Sequence, residues 1–282
     1  MGRITRSWEL VKQSFSVLRD DRELLLLPIA SGISCLLVSA FLLLGGGLMA
    51  LPYVKSSLAA DSHWRPGAPL IFPGIFLFYA ANYFVIVFFN VALVNVAASR
   101  LLGGHATIRD SMRLAWERKG KILEWALLAA TVGTILRLIE QRLDWLGRLV
   151  VKLIGVAWTL ASYFVAPVLA FENLGPIDAL KHSARLFRDN WGENVVGGFS
   201  FGLTFFLLSL PGFALFALAA ASGRTGGLLL GAVVLVLYLL LLSVVSATVQ
   251  GIFVAALYRY ATTRQVAPGF KLENFSMAWQ PK

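Results

Sequence analysis

The amino-acid sequence predicts an all-α polytopic membrane protein: a transmembrane helical bundle of about six spans, with amphipathic interfacial helices preceding spans 1, 3 and 5. Three observations carry this. Of 282 residues, 58% are hydrophobic and only 14% charged, whereas a soluble domain carries about a quarter charged residues and under half apolar ones. The mean hydropathy is +0.74, and the apolar residues gather in blocks longer than the roughly 20 needed to cross a hydrocarbon core of about 30 Å. These blocks are continuous in Leu, Val, Ala, Phe and Gly. Strands of a membrane barrel alternate instead, and a helix is the other way to satisfy backbone amides in lipid.

The spans run roughly over Leu24 to Leu51, Leu70 to Ala98, Ile122 to Ile139, Leu149 to Phe171, Val195 to Ala221 and Gly227 to Tyr258. The third is short, holds Glu124 near its start and ends in Arg137, so a re-entrant or tilted surface helix is its alternative. The first exceeds the h-region of a secretory signal and follows 23 largely amphipathic residues, which argues against a cleaved leader. Six crossings place both termini on one side. The segments Met1 to Glu23, Arg100 to Lys121, Glu172 to Asn194 and Arg259 to Lys282 hold 18 of the 25 Lys and Arg, and Arg137 to Lys152 holds 4 of the other 7. Because positive charge stays on the cytoplasmic face during insertion, both termini are expected in the cytoplasm.

The net charge of +10 is spread over these flanking segments without an aromatic-studded platform. It reads as insertion topology and attraction to anionic lipid heads, so membrane lipids are the expected partners and nucleic acid is not. The one cysteine, Cys35, sits in an apolar run, which rules out a disulfide within the chain and argues against a cysteine metal site.

Ahead of the first span, Ile4, Trp8, Val11, Phe15 and Leu18 fall within an arc of about 80° on a helix of 100° per residue. Arg3, Arg6, Glu9, Lys12 and Gln13 lie off it. Such a helix lies in the headgroup layer with Trp8 and Phe15 as interfacial anchors. The device returns before the third span as Ile108, Met112, Ala115 and Trp116, and before the fifth as Ile177, Leu180, Ala184 and Phe187, with Trp116 and Phe187 as the anchors. The copies share Ser7-Trp8-Glu9-Leu10, Ser111-Met112-Arg113-Leu114 and Ser183-Ala184-Arg185-Leu186. A single membrane domain therefore reads as three weakly repeated units, 1–103, 104–173 and 174–264, followed by a cytoplasmic tail, 265–282. The plainer alternative is that linkers of any polytopic protein form short amphipathic helices.

At the end of the fourth span stand Pro167, Glu172, Gly175, Pro176, Ala179, Leu180, Ser183, Leu186 and Trp191. This string resembles the signature of membrane domains fused to some bacterial glycerophosphoryl diester phosphodiesterases. The stretch SWELVKQSFSVLRDDRELLLLPIASGI resembles an uncharacterised six-span bacterial family. The resemblance implies a bacterial inner-membrane location and a shared helical fold, but no activity, because in the fused proteins a separate soluble domain carries the chemistry. The motif also has a physical reading. Pro167 kinks a span near its cytoplasmic end, Gly175-Pro176 stops it and starts the next helix, and Asp178, Arg185 and Arg188 suit that helix's dipole.

Chemistry-bearing residues are sparse. His63, His105 and His182 stand at unrelated positions, and no metal-ligand spacing, nucleophile elbow or phosphate loop appears. Neither catalytic residues nor a metal or other cofactor is expected. Polar residues within spans are the candidates: Asn82, Asn90 and Asn95 in the second, Glu124 beginning the third and Gln250 in the sixth. Asn82 and Asn90, eight residues apart, face one way in this reading, to line a polar path or to bond neighbouring helices. Arg137 and Lys152 lie near span ends and can snorkel. Gly198-x3-Gly202 and Gly227-x3-Gly231 permit close helix packing, within the chain or between copies. The leading expectation is a non-enzymatic protein that organises lipids or protein partners, as an oligomer in one form. The alternative is a channel or permease, drawing on repetition and on Pro28, Pro73, Pro167 and Pro211. A lipid-headgroup enzyme comes third.

Overall fold

The computed structural model describes residues 3–59, 68–189, 191–221 and 223–263, and among these every regular element is a helix. In chain order they are α1 (Arg3–Asp20), a 3-10 turn (Arg22–Leu25), α2 (Leu26–Ala59), α3 (Ala68–Leu101), α4 (Ile108–Glu117), α5 (Lys119–Glu140), α6 (Trp145–Ala161), α7 (Val165–Phe171), α8 (Pro176–Asp189), α9 (Trp191–Ala221) and α10 (Thr225–Thr263). Six stretches are long and apolar enough to cross a membrane, namely α2, α3, α5, α6 with α7, α9 and α10. The third span is thus a full-length helix: its 22 residues extend about 33 Å at 1.5 Å per residue, the thickness of a hydrocarbon core.

The chain divides into two compact units. One comprises Met1–Ile29, Leu93–Ser111 and Arg185–Lys282, the other Ala30–Ala92 and Met112–Ala184. In the first, α1 lies against α9 and α10, which also pair with each other, and Phe15 stacks on Phe205 with centroids 6.1 Å apart. The buried side chains of α10 run from Thr248 to Tyr260, and residues 225–247 contribute none. In the second unit, Trp125 and Trp158 stack at 5.7 Å and tie α5 to α6. The buried side chains of α5 stop at Ala130, well before its end. In lipid an apolar side chain gains little from leaving the acyl chains for another helix. Backbone or polar groups that need cover are a stronger reason for close packing.

The fourth span shows such a place. The kink expected from Pro167 is a full break, and it falls one turn earlier, between α6 and α7 at Ser162 to Phe164. Pro167 offers no N–H, and its ring crowds the carbonyl four residues back, that of Tyr163. The Ser162 hydroxyl donates to the Trp158 carbonyl at 2.8 Å. The N–H of Phe164 donates to Ser183 Oγ on α8 at 2.9 Å, fully buried. Removing an acceptor from a buried donor costs about 1–3 kcal/mol. Ser183→Ala should therefore lower stability by that amount. Ser14→Ala should cost less than about 1 kcal/mol, because the buried Ser14 hydroxyl has no partner among the described residues. Unfolding of the detergent-solubilised protein followed by circular dichroism checks both.

Candidate functional site

The three surface helices carry one burial pattern. Ser14, Ser111 and Ser183 are fully buried, and four residues further on Leu18, Ala115 and Phe187 are buried as well. Between them Ser16, Arg113 and Arg185 are exposed, and beyond them Arg19, Trp116 and Arg188, then Asp20, Glu117 and Asp189. This register pairs Ser14 with Ser111 and Ser183, seven residues beyond the Ser7 match. A small side chain at the seam lets a helix backbone approach the element below it, and that requirement sets the register. The side chain of Ser7 lies outside the described residues.

Two of the seams, those of α4 and α8, carry specific polar contacts. Thr107 and Asp110 cap α4 reciprocally, with Asp110 N–H donating to Thr107 Oγ1 at 3.2 Å and Thr107 N–H to Asp110 Oδ2 at 3.0 Å. The Ser111 hydroxyl donates to Asn95 Oδ1 on α3 at 2.9 Å. On α8, His182 Nε2 stands 3.3 Å from Glu172 Oε1. Arg118 donates to Asn173 Oδ1 at 2.7 Å, and Lys121 to the Asn173 carbonyl, so the link after α7 is tied to the start of α5.

The proposed anchors divide. Phe15 is half-buried. Trp116 is 60% exposed, with the Lys119 ammonium 4.1 Å from its centroid and Phe88 at its edge. Phe187 is 4% exposed and packs inside the protein instead of dipping into lipid, because it shares the buried stripe of Ser183. The side chain of Trp8 lies outside the described residues.

The span asparagines also separate. Asn82 accepts from the Ser39 hydroxyl of α2 at 3.1 Å and donates to the Phe78 carbonyl at 2.9 Å, which is interhelix bonding. Asn90 is exposed. Eight residues leave the two about 80° apart around the helix, enough to turn one toward α2 and the other outward. Asn95 holds Ser111 as above, whereas Glu124 and Gln250 are exposed. Of the glycines, a Cβ on Gly231 would lie 2.6 Å from that of Ala219, and one on Gly202 would meet open space. Gly227 is half-buried, and the surroundings of Gly198 lie outside the described residues. Two tight contacts were not anticipated from the sequence. A Cβ on Gly212 would lie 2.6 Å from the Tyr238 ring, and Gly251 has no room for one beside Leu93. The spacing Gly251-x3-Ala255 was the available signal.

A polar constellation lies in the first unit, between the end of α1 and the turn after α3. A cleft of about 860 Å³ is lined there by Arg19, Asp20, Asp21, Arg22, Glu23, Arg100 and His105, among others. Arg100 Nε pairs with Asp21 Oδ2 at 2.7 Å, both side chains largely buried. Gly103, at φ +73°, turns the chain after α3, and Gly104 leaves no room for a Cβ, which would sit 2.6 Å from Ser99 Oγ. Three carboxylates face three guanidinium groups, so the cleft is balanced in charge. Among the described residues no His, Cys, Asp and Glu side chains gather into a metal-binding group. The cleft escaped sequence reading because Arg100 stands about 80 residues from the run Arg19 to Glu23. A double-mutant cycle of Asp21→Asn and Arg100→Gln should return a coupling of about 0.5–3 kcal/mol in the unfolding free energy. A null coupling would make the pair incidental.

Residues 70–269 of the chain match the model of a family described only as a family of unknown function (DUF6159). No curated protein matches the chain.

Proposed function

From the premise that the chain belongs to the DUF6159 family, whose function is unknown, we propose a non-enzymatic membrane protein that organises lipids or protein partners, a second copy of itself being one such partner. Its location is the bacterial inner membrane, with both termini in the cytoplasm. The observation that carries this reading is the threefold surface-helix pattern around Ser14, Ser111 and Ser183. Each copy buries one stripe and presents its charged flank outward, an arrangement suited to the headgroup layer. Large apolar side chains along α2, α6, α9 and α10 remain exposed, among them Phe41, Leu153, Leu218 and Leu241. They offer broad surface for acyl chains or for a second copy. The location draws on the resemblance to bacterial membrane domains and on the basic segments flanking alternate spans.

A permease is the second reading, supported by the break at Ser162 to Phe164 in the fourth span. Unlike the first, it requires flux through proteoliposomes.

Reconstitution into nanodiscs of phosphatidylethanolamine and phosphatidylglycerol, with native mass spectrometry on release, should show retained lipids and species larger than one chain. A bare monomer without retained lipid would contradict the reading. For orientation, single cysteines at His105 and Arg142 in a Cys35→Ser background should differ toward a membrane-impermeant maleimide applied to spheroplasts. Arg142→Cys should label and His105→Cys should not, and the reverse result would invert the topology.

A further inference from the structure

Where the last turns of α5 pass α3 in the second unit, a pocket of about 310 Å³ is lined by Ile75, Tyr79, Thr134, Arg137, Leu138 and Gln141. Its polar chemistry is one-sided. The Arg137 guanidinium lies 5.6 Å from the centroid of the Tyr79 ring and donates to the Tyr79 hydroxyl, leaving other N–H groups of its fork to engage a ligand. The Tyr79 hydroxyl, having accepted that bond, keeps its own proton to donate. Thr134 Oγ1 is buried with no hydrogen-bond partner among the described residues, and Gln141 adds an amide. No carboxylate lines the pocket. Glu140, the nearest acid in the chain, is not among the lining side chains, and Asp144 accepts from Gly147 N–H to cap α6 at 3.0 Å.

Donors converging around one cation, with no carboxylate among the lining side chains, call for an acceptor-rich anion, and a guanidinium fork matches phosphate oxygens best. Position supplies the rest. The 22 residues of α5 extend about the thickness of the hydrocarbon core, so its final turn reaches headgroup level. Trp145, 69% exposed, follows there as interfacial aromatics do. Ile75 and Leu138 give the pocket an apolar wall along which an acyl chain can lie. Arg137 is an exposed residue, as a snorkelling side chain is, but its guanidinium also lies against the Tyr79 ring beside the buried Thr134 hydroxyl, unpartnered among the described residues.

We propose that Tyr79, Thr134, Arg137 and Gln141 form a binding site for the phosphate of a phospholipid, at the end of α5 remote from Lys119. The proposal deepens the lipid-organising reading, on which it rests for the presence of phospholipid around the chain. The delipidated full-length protein in detergent is titrated with short-chain phosphatidylglycerol and read by native mass spectrometry. Diacylglycerol serves as the control without phosphate, and inorganic phosphate as the competitor without tails.

Wild type should retain phosphatidylglycerol at least tenfold over diacylglycerol. Arg137→Gln should lower that retention about tenfold and Thr134→Val about threefold. Equal retention of the two lipids overturns the proposal, as does Arg137→Gln binding like wild type. Should Arg137→Gln fail to fold, judged by gel filtration and unfolding temperature, Thr134→Val decides: unchanged retention overturns the site. Complete displacement of the lipid by equimolar inorganic phosphate overturns the lipid source in favour of a soluble anion. A variant that loses the tightly held lipid while keeping wild-type oligomers and bulk lipid in nanodiscs supports the pocket independently of the wider role. Loss of oligomers with tight lipid retained would instead fault that wider reading alone.

Discussion

A proline inside a membrane span sets free a backbone group that lipid cannot satisfy. Pro167 leaves the Tyr163 carbonyl of the fourth span without its helical donor, and in the break just before it the freed Phe164 N–H donates, fully buried, to the hydroxyl of Ser183 on the surface helix α8. An unsatisfied backbone group in hydrocarbon costs several kcal/mol. Undocking the surface helix would leave the Phe164 N–H unpaired, so the docked helix stabilises the break. Span geometry and interfacial helix are in this way one cooperative element, and the short link of Glu172 to Gly175, held by Arg118 and Lys121 through Asn173, fixes the distance between them.

The same logic distributes packing in each unit. Buried side chains concentrate between Ile122 and Ala130 in α5, along α7 and from Thr248 to Tyr260 in α10, and the rest of α5 and α10 carries none. Hydrophobic burial rewards leaving water, not leaving lipid, so apolar lengths of α10 have no energetic reason to be covered by protein. What holds helices together there is close approach at small residues, as where Gly212 receives Tyr238 and Gly231 receives Ala219. Specific hydrogen bonds such as Ser39 to Asn82 do the same elsewhere.

Much of this was legible in the chain. The number of spans, the amphipathic helices between them and the breaking role of Pro167 follow from hydropathy, from a period of 3.6 and from the missing N–H of proline, all of which are local properties. The exact register of the repeat was not. Ser7 and Ser14 both occupy α1, and a match of four letters cannot say which serine meets a neighbouring helix. Likewise Phe187 has the composition of a lipid anchor but lies on the stripe that turns inward, and Asn90 shares a residue type with Asn82 without sharing its face.

Sequence by itself therefore determined that the chain is helical and lives in a bilayer, because continuous apolar length admits no other way to pair the backbone. Only the tertiary structure decided which polar groups meet: Asp21 with Arg100, Ser111 with Asn95, Arg137 with Tyr79. Those pairs join residues 16 to 79 positions apart. Nothing periodic in the chain encodes them, because each depends on how two helices are turned about their own axes, and that rotation is set by packing.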